Sequence, residues 1–143
     1  DPGALATIGD MWRLTGADVV RMDVAEHDRV LAMTSHLPHL LAFALVDSLA
    51  NRPASDEIFR CAAGGFRDFT RIASSDVVMW RDIALANRDA LLGALDGFAH
   101  TLETVRAAVA GSDGEKLEQV FGRARAARER YMRWLERGDH PEQ

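Results

Sequence analysis

The chain has 143 residues, 48% of them apolar and 27% charged, a composition that suits one globular domain with a sizeable core. Its formal net charge of -5 argues against a general nucleic-acid binder, which needs a cationic surface to displace counterions from phosphates. A single cysteine, Cys61, excludes an internal disulfide and a cysteine-built zinc site and fits a reducing, cytoplasmic setting.

Taken in chain order, Leu5–Leu14 reads as a helix with Leu5, Ile8, Met11 and Trp12 on one face, ended by Gly16. Ala17–Asp23 is short and β-branched, the one convincing strand candidate. One strand cannot make a sheet alone, so its partners are expected upstream of Asp1. The start Asp1-Pro2, without an initiator Met, also reads as a fragment or a trimmed form of a longer chain. From Ala25 onward the pattern is helical. Ala25–Ala50 is one long segment with Pro38 inside it, which predicts a kink near Thr34–Ser35 because proline lacks a backbone donor and crowds the preceding turn. The richest apolar part of this segment, Leu37–Ala50, is broken by His39, Asp47 and Ser48. No run of eighteen uninterrupted apolar residues and no signal peptide is visible, which argues against a membrane partner.

Asn51-Arg52-Pro53 is a break, Ser55 is the expected cap of a helix over Asp56–Ala63, and Gly64-Gly65 is expected to interrupt it. Phe66–Ala73 follows as a short helix or ordered loop. Ser74 or Ser75 then caps a helix expected from Asp76 to about Ala110. Within it Leu91, Leu95, Phe98, Leu102, Val105 and Val109 form a heptad seam, equally suited to intrachain core or subunit interface. Gly111–Gly114 is a turn. A last helix, Glu115–Arg137, is expected to turn Leu117, Val120, Phe121, Ala124, Tyr131, Trp134 and Leu135 inward, with its arginines on a solvated face. The fold class is all-α, a helical bundle.

Three constellations carry chemistry. The first is His27 with Ser35-His36-Leu37-Pro38-His39, three histidines within thirteen residues. A metal site would need a third and usually a fourth ligand, and Pro38 distorts the spacing, so none is expected. The plain reading is one capping, one packed and one exposed histidine; the sharper one is a kinked helix that aims His36 or His39 into a pocket. The second is Gly64-Gly65-Phe66-Arg67-Asp68-Phe69-Thr70-Arg71, where Arg71 offers a fork for a carboxylate, or Arg67 and Arg71 form ordinary surface ion pairs. The third is Met79-Trp80-Arg81-Asp82-Ile83, with Trp80 as core or as pocket wall. No glycine-rich dinucleotide fingerprint and no nucleophile elbow is present.

Together with Trp12, Gly16, His27-Asp28 and Asn87, the pentapeptide Ser35–His39, the decapeptide Gly64–Ala73 and the Met79–Ile83 segment resemble the prephenate/arogenate dehydrogenase family, in order and spacing from Trp12 to about Asn87. The last helices match only as generic helix. The resemblance implies residues 1–23 as the helix-and-strand end of a Rossmann nucleotide-binding domain, and residues 24–143 as a helical substrate-binding and dimerisation domain. It implies oxidative decarboxylation of prephenate or arogenate with NAD or NADP, the cofactor held mainly by the domain upstream, in a cytoplasmic homodimer open to inhibition by tyrosine. By the same resemblance Arg71 is the substrate-carboxylate ligand and His39 the second active-site histidine. Gly64, Gly65, Asp68 and Trp80 are the loop and wall of the pocket. The rival is a helical dimerisation or effector-binding module without catalytic duty.

Overall fold

The computed structural model describes residues 1–137, and every regular element among them is helical. In order these are α1 (Pro2–Leu14), α2 (Val24–Leu31), a π-helical turn (Ala32–His36), α3 (Leu37–Ala50), α4 (Ser55–Arg60), α5 (Gly64–Thr70), a 3-10 turn (Arg71–Ser74), α6 (Val77–Ala86), α7 (Arg88–Ala110) and α8 (Gly114–Arg137). The chain divides into two compact units, Asp1–Ala94 and Leu95–Gln143, the division falling within α7.

In the first unit, Asp1 caps α1 by accepting from the Gly3 N–H at 2.8 Å. Gly16, at φ +82°, ends α1 in the left-handed region that glycine enters without cost, its N–H donating to Arg13 O at 2.9 Å. The strand expected over Ala17–Asp23 does not form, because among the described residues no second extended segment exists to pair with it. Asp23 then opens α2, its carboxylate accepting from the Glu26 N–H at 2.8 Å.

Where the kink is expected, the helix hydrogen bonding widens to a π turn over Ala32–His36. Pro38 has no N–H to return to Thr34 O, and the Leu37 N–H reaches instead five residues back, to Ala32 O. The turn packs Ala32 and His36 into the core, and α3 continues with Ala42 fully buried. As one run, Val24–Ala50 is long and apolar enough to cross a bilayer on length and composition alone. Its α3 part is met by α4, α5 and the 3-10 turn, and Ala42 is its one buried residue.

Four local expectations are corrected. Ser55 is the first residue of α4, and Ala54 stands at the cap without a side-chain bond. The break before α5 is Cys61–Ala63, while Gly64 and Gly65 are the first residues of α5; glycine's cost in a helix is backbone entropy, about 1 kcal/mol per residue, too little to bar it from a first turn. Asp76, not a serine, caps α6, accepting from the Met79 N–H at 2.8 Å, while Ser75 Oγ donates to Ile72 O. The helix expected from Asp76 to Ala110 is broken at Asn87, which leaves helical geometry at φ -105°, ψ 35°.

In the second unit, Asp113 caps α8 through the Lys116 N–H at 2.9 Å. The apolar stripes here are largely uncovered: Leu102 is 55% and Phe121 58% exposed, and Phe98, Val109, Tyr131, Trp134 and Leu135 are exposed as well. Of the α8 residues expected inward, Leu117 and Val120 are half-buried, while Phe121, Ala124, Tyr131, Trp134 and Leu135 are exposed within one chain. A two-helix unit has too little facing surface to cover two apolar stripes. The arginines Arg123–Arg133 lie on solvent as expected.

Candidate functional site

The residues that carry chemistry gather in the first unit, around Trp80. The α6 helix holds this indole 8% exposed, on the face that meets the kinked run. His39 lies flat against it, ring centroids 3.6 Å apart and planes 19° from parallel. His36, one turn earlier and 9% exposed, meets the same indole edge-on at 6.1 Å and 76°. The π turn makes this possible. The Ser35 carbonyl accepts from His39 Nδ1 at 3.0 Å, which leaves Nε2 as the ring's other nitrogen for a ligand.

The Trp80 indole N–H is buried and has no hydrogen-bond partner among the described residues. Leaving such a donor unpaired costs about 1–3 kcal/mol. Beside this unpaired donor stands the His39 imidazole, whose Nε2 makes no hydrogen bond among the described residues.

His36 is tied from a distance. The Asn87 side chain donates through Nδ2 to Asp28 O at 2.8 Å and lies 3.1 Å from His36 Nδ1. These contacts span 59 and 51 residues and pin the start of α7 to the kinked run. Asn87 was legible in sequence only as part of the family pattern.

Burial holds the His36 imidazole below its ordinary value of 6.5; the Asp28 carboxylate opposes this, and His27 and His39 add to it. Facing it are Asp28 and His27 from α2, His39 from α3, and the neutral Trp80 and Asn87. The folded chain therefore resists a proton that the unfolded chain accepts. The His36 contribution to stability is complete above about pH 6.5 and is lost as pH falls from there towards its folded value. Urea unfolding at about pH 7.5 and about pH 5.5 should show a larger acid loss for the native chain than for His36→Gln. Equal losses would contradict the assignment.

The remaining expected residues stand on α5 and on the 3-10 turn, both of which pack on α3. Arg71 opens the 3-10 turn that packs on α3, the helix of His39, and its side chain is exposed. Among the described residues it forms no ion pair with Asp68, and Arg67 forms none either, so the surface-ion-pair reading of this arginine pair has no support within the chain. Asp68 is exposed on α5. Gly64 and Gly65 are also exposed, and a β-carbon at either would meet nothing within 4 Å. Their backbone faces open space, and neither has positive φ. No group of three or more His, Cys, Asp or Glu residues is gathered as a metal site among the described residues; His27 Nδ1 pairs instead with the Asp28 carboxylate at 3.0 Å.

Comparison with known proteins gives a consistent picture. Residues 23–123 match the family described as prephenate dehydrogenase, dimerization domain. The cyclohexadienyl dehydrogenase of Zymomonas mobilis is 41% identical over 127 residues, covering 87% of this chain and 43% of that protein. The prephenate dehydrogenase of Bacillus subtilis is 38% identical over 133 residues, covering 90% of this chain and 35% of that protein. Among solved structures, the A. aeolicus prephenate dehydrogenase in complex with hydroxyphenyl propionate and NAD+ superposes with a TM-score of 0.84 at 37% identity, covering 92% of this chain and 46% of that one. The chain thus spans less than half the length of the curated relatives it matches.

Proposed function

The chain belongs to the prephenate dehydrogenase family through its dimerization domain, and on that premise we propose that it is the substrate-gripping half of an enzyme that oxidises and decarboxylates prephenate or arogenate. The observation that carries this reading is the pair of polar groups without a protein partner at one spot: His39 Nε2, on a ring stacked and tied at Nδ1, and the buried Trp80 N–H. A module that only joins subunits has no use for an unpaired buried donor, which would cost it stability.

The ligand bound to the A. aeolicus enzyme, hydroxyphenyl propionate, has a phenolic hydroxyl at one end and a carboxylate at the other. A receptor for such a molecule needs a cation for the acid and a hydrogen-bonding nitrogen for the hydroxyl. Arg71 supplies the first, as a planar fork on the turn beside α3. His39 supplies the second: with Nδ1–H committed to Ser35 O, its Nε2 accepts a hydrogen bond from the hydroxyl and so orients the ring carbon to be oxidised. Trp80 walls the pocket, and the exposed start of α5 at Gly64–Gly65 lets a ligand approach backbone closely. Asp68 balances the charge of the pocket rim.

NAD or NADP supplies the hydride acceptor. The residues of this chain do not fit it: among those described there is no strand and no glycine-rich loop leading into a helix. We assign it to a nucleotide-binding domain that ends at about residue 23, residues 24–143 being the substrate-binding and dimerisation domain. Once the hydroxyl carbon is oxidised, loss of carbon dioxide restores aromaticity and draws the reaction forward. The uncovered apolar stripes of α7 and α8 suit a second copy of the chain, and tyrosine, a hydroxyphenyl acid like the product, suits the same receptor as an inhibitor.

The test is to supply the complete enzyme with prephenate or arogenate and either dinucleotide. Release of carbon dioxide matched by dinucleotide reduction is expected with at least one pair. No turnover with any of the four combinations would remove the reading.

A further inference from the structure

We propose that Asn87 is a positioning residue of this site: it holds His36 with its ring proton on Nε2, the tautomer opposite to that of His39, so that the two imidazoles against Trp80 offer one donor and one acceptor to a ligand hydroxyl. The inference deepens the reading above and rests on it.

The argument begins with Asp28 O, a backbone carbonyl that can only accept. The group 2.8 Å from it must be the amide nitrogen of Asn87, which settles which way the amide points. The same nitrogen lies 3.1 Å from His36 Nδ1. An amide NH2 has hydrogens to give and no lone pair to offer, so Nδ1 is the acceptor and carries no proton. The ring proton therefore sits on Nε2, which has no hydrogen-bond partner among the described residues.

His39 is held the other way round. Its Nδ1 faces Ser35 O at 3.0 Å, and a carbonyl demands a donor, so the proton sits on Nδ1 and Nε2 is bare. Two histidines three residues apart, touching one indole, are thus locked in opposite tautomers by partners from different parts of the chain. A hydroxyl both donates and accepts one hydrogen bond, and an N–H on one ring with a bare nitrogen on the other, both rings against the same indole, supply the two partners it needs.

The neighbouring charges do not compete for this assignment. The Asp28 carboxylate, which could have demanded a proton on His36, is engaged by His27 Nδ1 at 3.0 Å. A proton added to His36 Nδ1 would point a hydrogen at the Asn87 NH2, so the amide opposes protonation in the same direction as burial does.

Long-range nitrogen–proton correlation spectra of the histidine-labelled chain near neutral pH read the tautomers directly. The expected result is a bare Nδ1 for His36 and a bare Nε2 for His39. The same tautomer at both rings, or a free-imidazole mixture at His36, overturns the inference. Asn87→Asp keeps the side-chain shape but has no hydrogen to donate and calls for a proton on His36 Nδ1. In the complete enzyme it should move the acid limb of the kcat/KM profile to higher pH and lower kcat/KM about tenfold near neutrality, with dinucleotide Kd unchanged. Retention of the native tautomer and pH profile in Asn87→Asp, even with lower stability, would reduce Asn87 to a structural tie and overturn the proposal. Should that variant not fold, the native spectrum still decides. A wrong tautomer leaves the substrate reading of Arg71 standing, whereas an indifferent Arg71 variant defeats that reading and leaves the tautomers as measured.

Discussion

On the proposed function, Arg71→Ala in the complete enzyme should lower kcat/KM for the cyclohexadienyl acid by about 30-fold to several thousand-fold, the range that follows from the roughly 2–5 kcal/mol lost when one partner is removed from a charge pair that the bound acid buries. The dinucleotide Kd should not move. The effect falls on substrate because the guanidinium is exposed, stands on the turn that packs against the His39 helix, and forms no ion pair among the described residues. For the same reason stability should hardly change, within about 0.5 kcal/mol, as for surface positions generally. Arg71→Lys keeps the charge but loses the fork and should recover only part of the activity. Steady-state kinetics, dinucleotide titration and urea unfolding separate these effects. Parallel loss of substrate and dinucleotide binding, or a variant that simply unfolds, would speak for a structural arginine.

Trp80 gives the second large effect, and here two substitutions must disagree. Trp80→Ala empties the position against which both imidazoles pack and should cost about 3–5 kcal/mol, the range for deleting a buried aromatic. Trp80→Phe retains most of the ring and removes the unpaired N–H. Relief of that buried donor, about 1–3 kcal/mol, offsets much of the packing lost with the smaller ring, so the stability of this variant should stay near native. Its catalysis should not: without the indole N–H and the wide stacking face under His39, kcat/KM should fall about tenfold. Denaturant midpoints beside kinetics settle the matter. Native activity in Trp80→Phe with a stability loss close to that of the alanine variant would make Trp80 ordinary core.

Much of the architecture was readable along the chain, because its causes are local. Pro38 lacks an N–H wherever the chain goes, so the run from Val24 to Ala50 had to bend one turn before it, and it does so as a π turn. Gly16 ends α1 by local backbone geometry in the same way. The helix starts were less legible. Asp76 and Ser75 are adjacent and both able to cap, and only the placed backbone shows which carboxylate or hydroxyl meets the Met79 N–H.

The contents of the site were partly legible. The motifs pointed to His39 and Trp80, and the structure stacks one on the other. Arg71, Asp68, Gly64 and Gly65 stand on the turn and helix that pack on α3. The role of Asn87 escaped the sequence because its partners lie 51 and 59 residues away, and no periodicity encodes a contact of that length.

What the sequence by itself determined, then, is what short-range stereochemistry controls: helices nearly throughout, a bend before Pro38, and histidines, arginines and a tryptophan held ready on known turns. Only the tertiary structure decided which of these groups meet. It denied Ala17–Asp23 a strand, since a strand is made by a neighbour and not by its own residues. It left the apolar stripes of α7 and α8 open, since a hydrophobic pattern states that a face must be covered without stating by what. It also set the ring protons of His36 and His39, because a tautomer follows from the partner at the other end of the hydrogen bond.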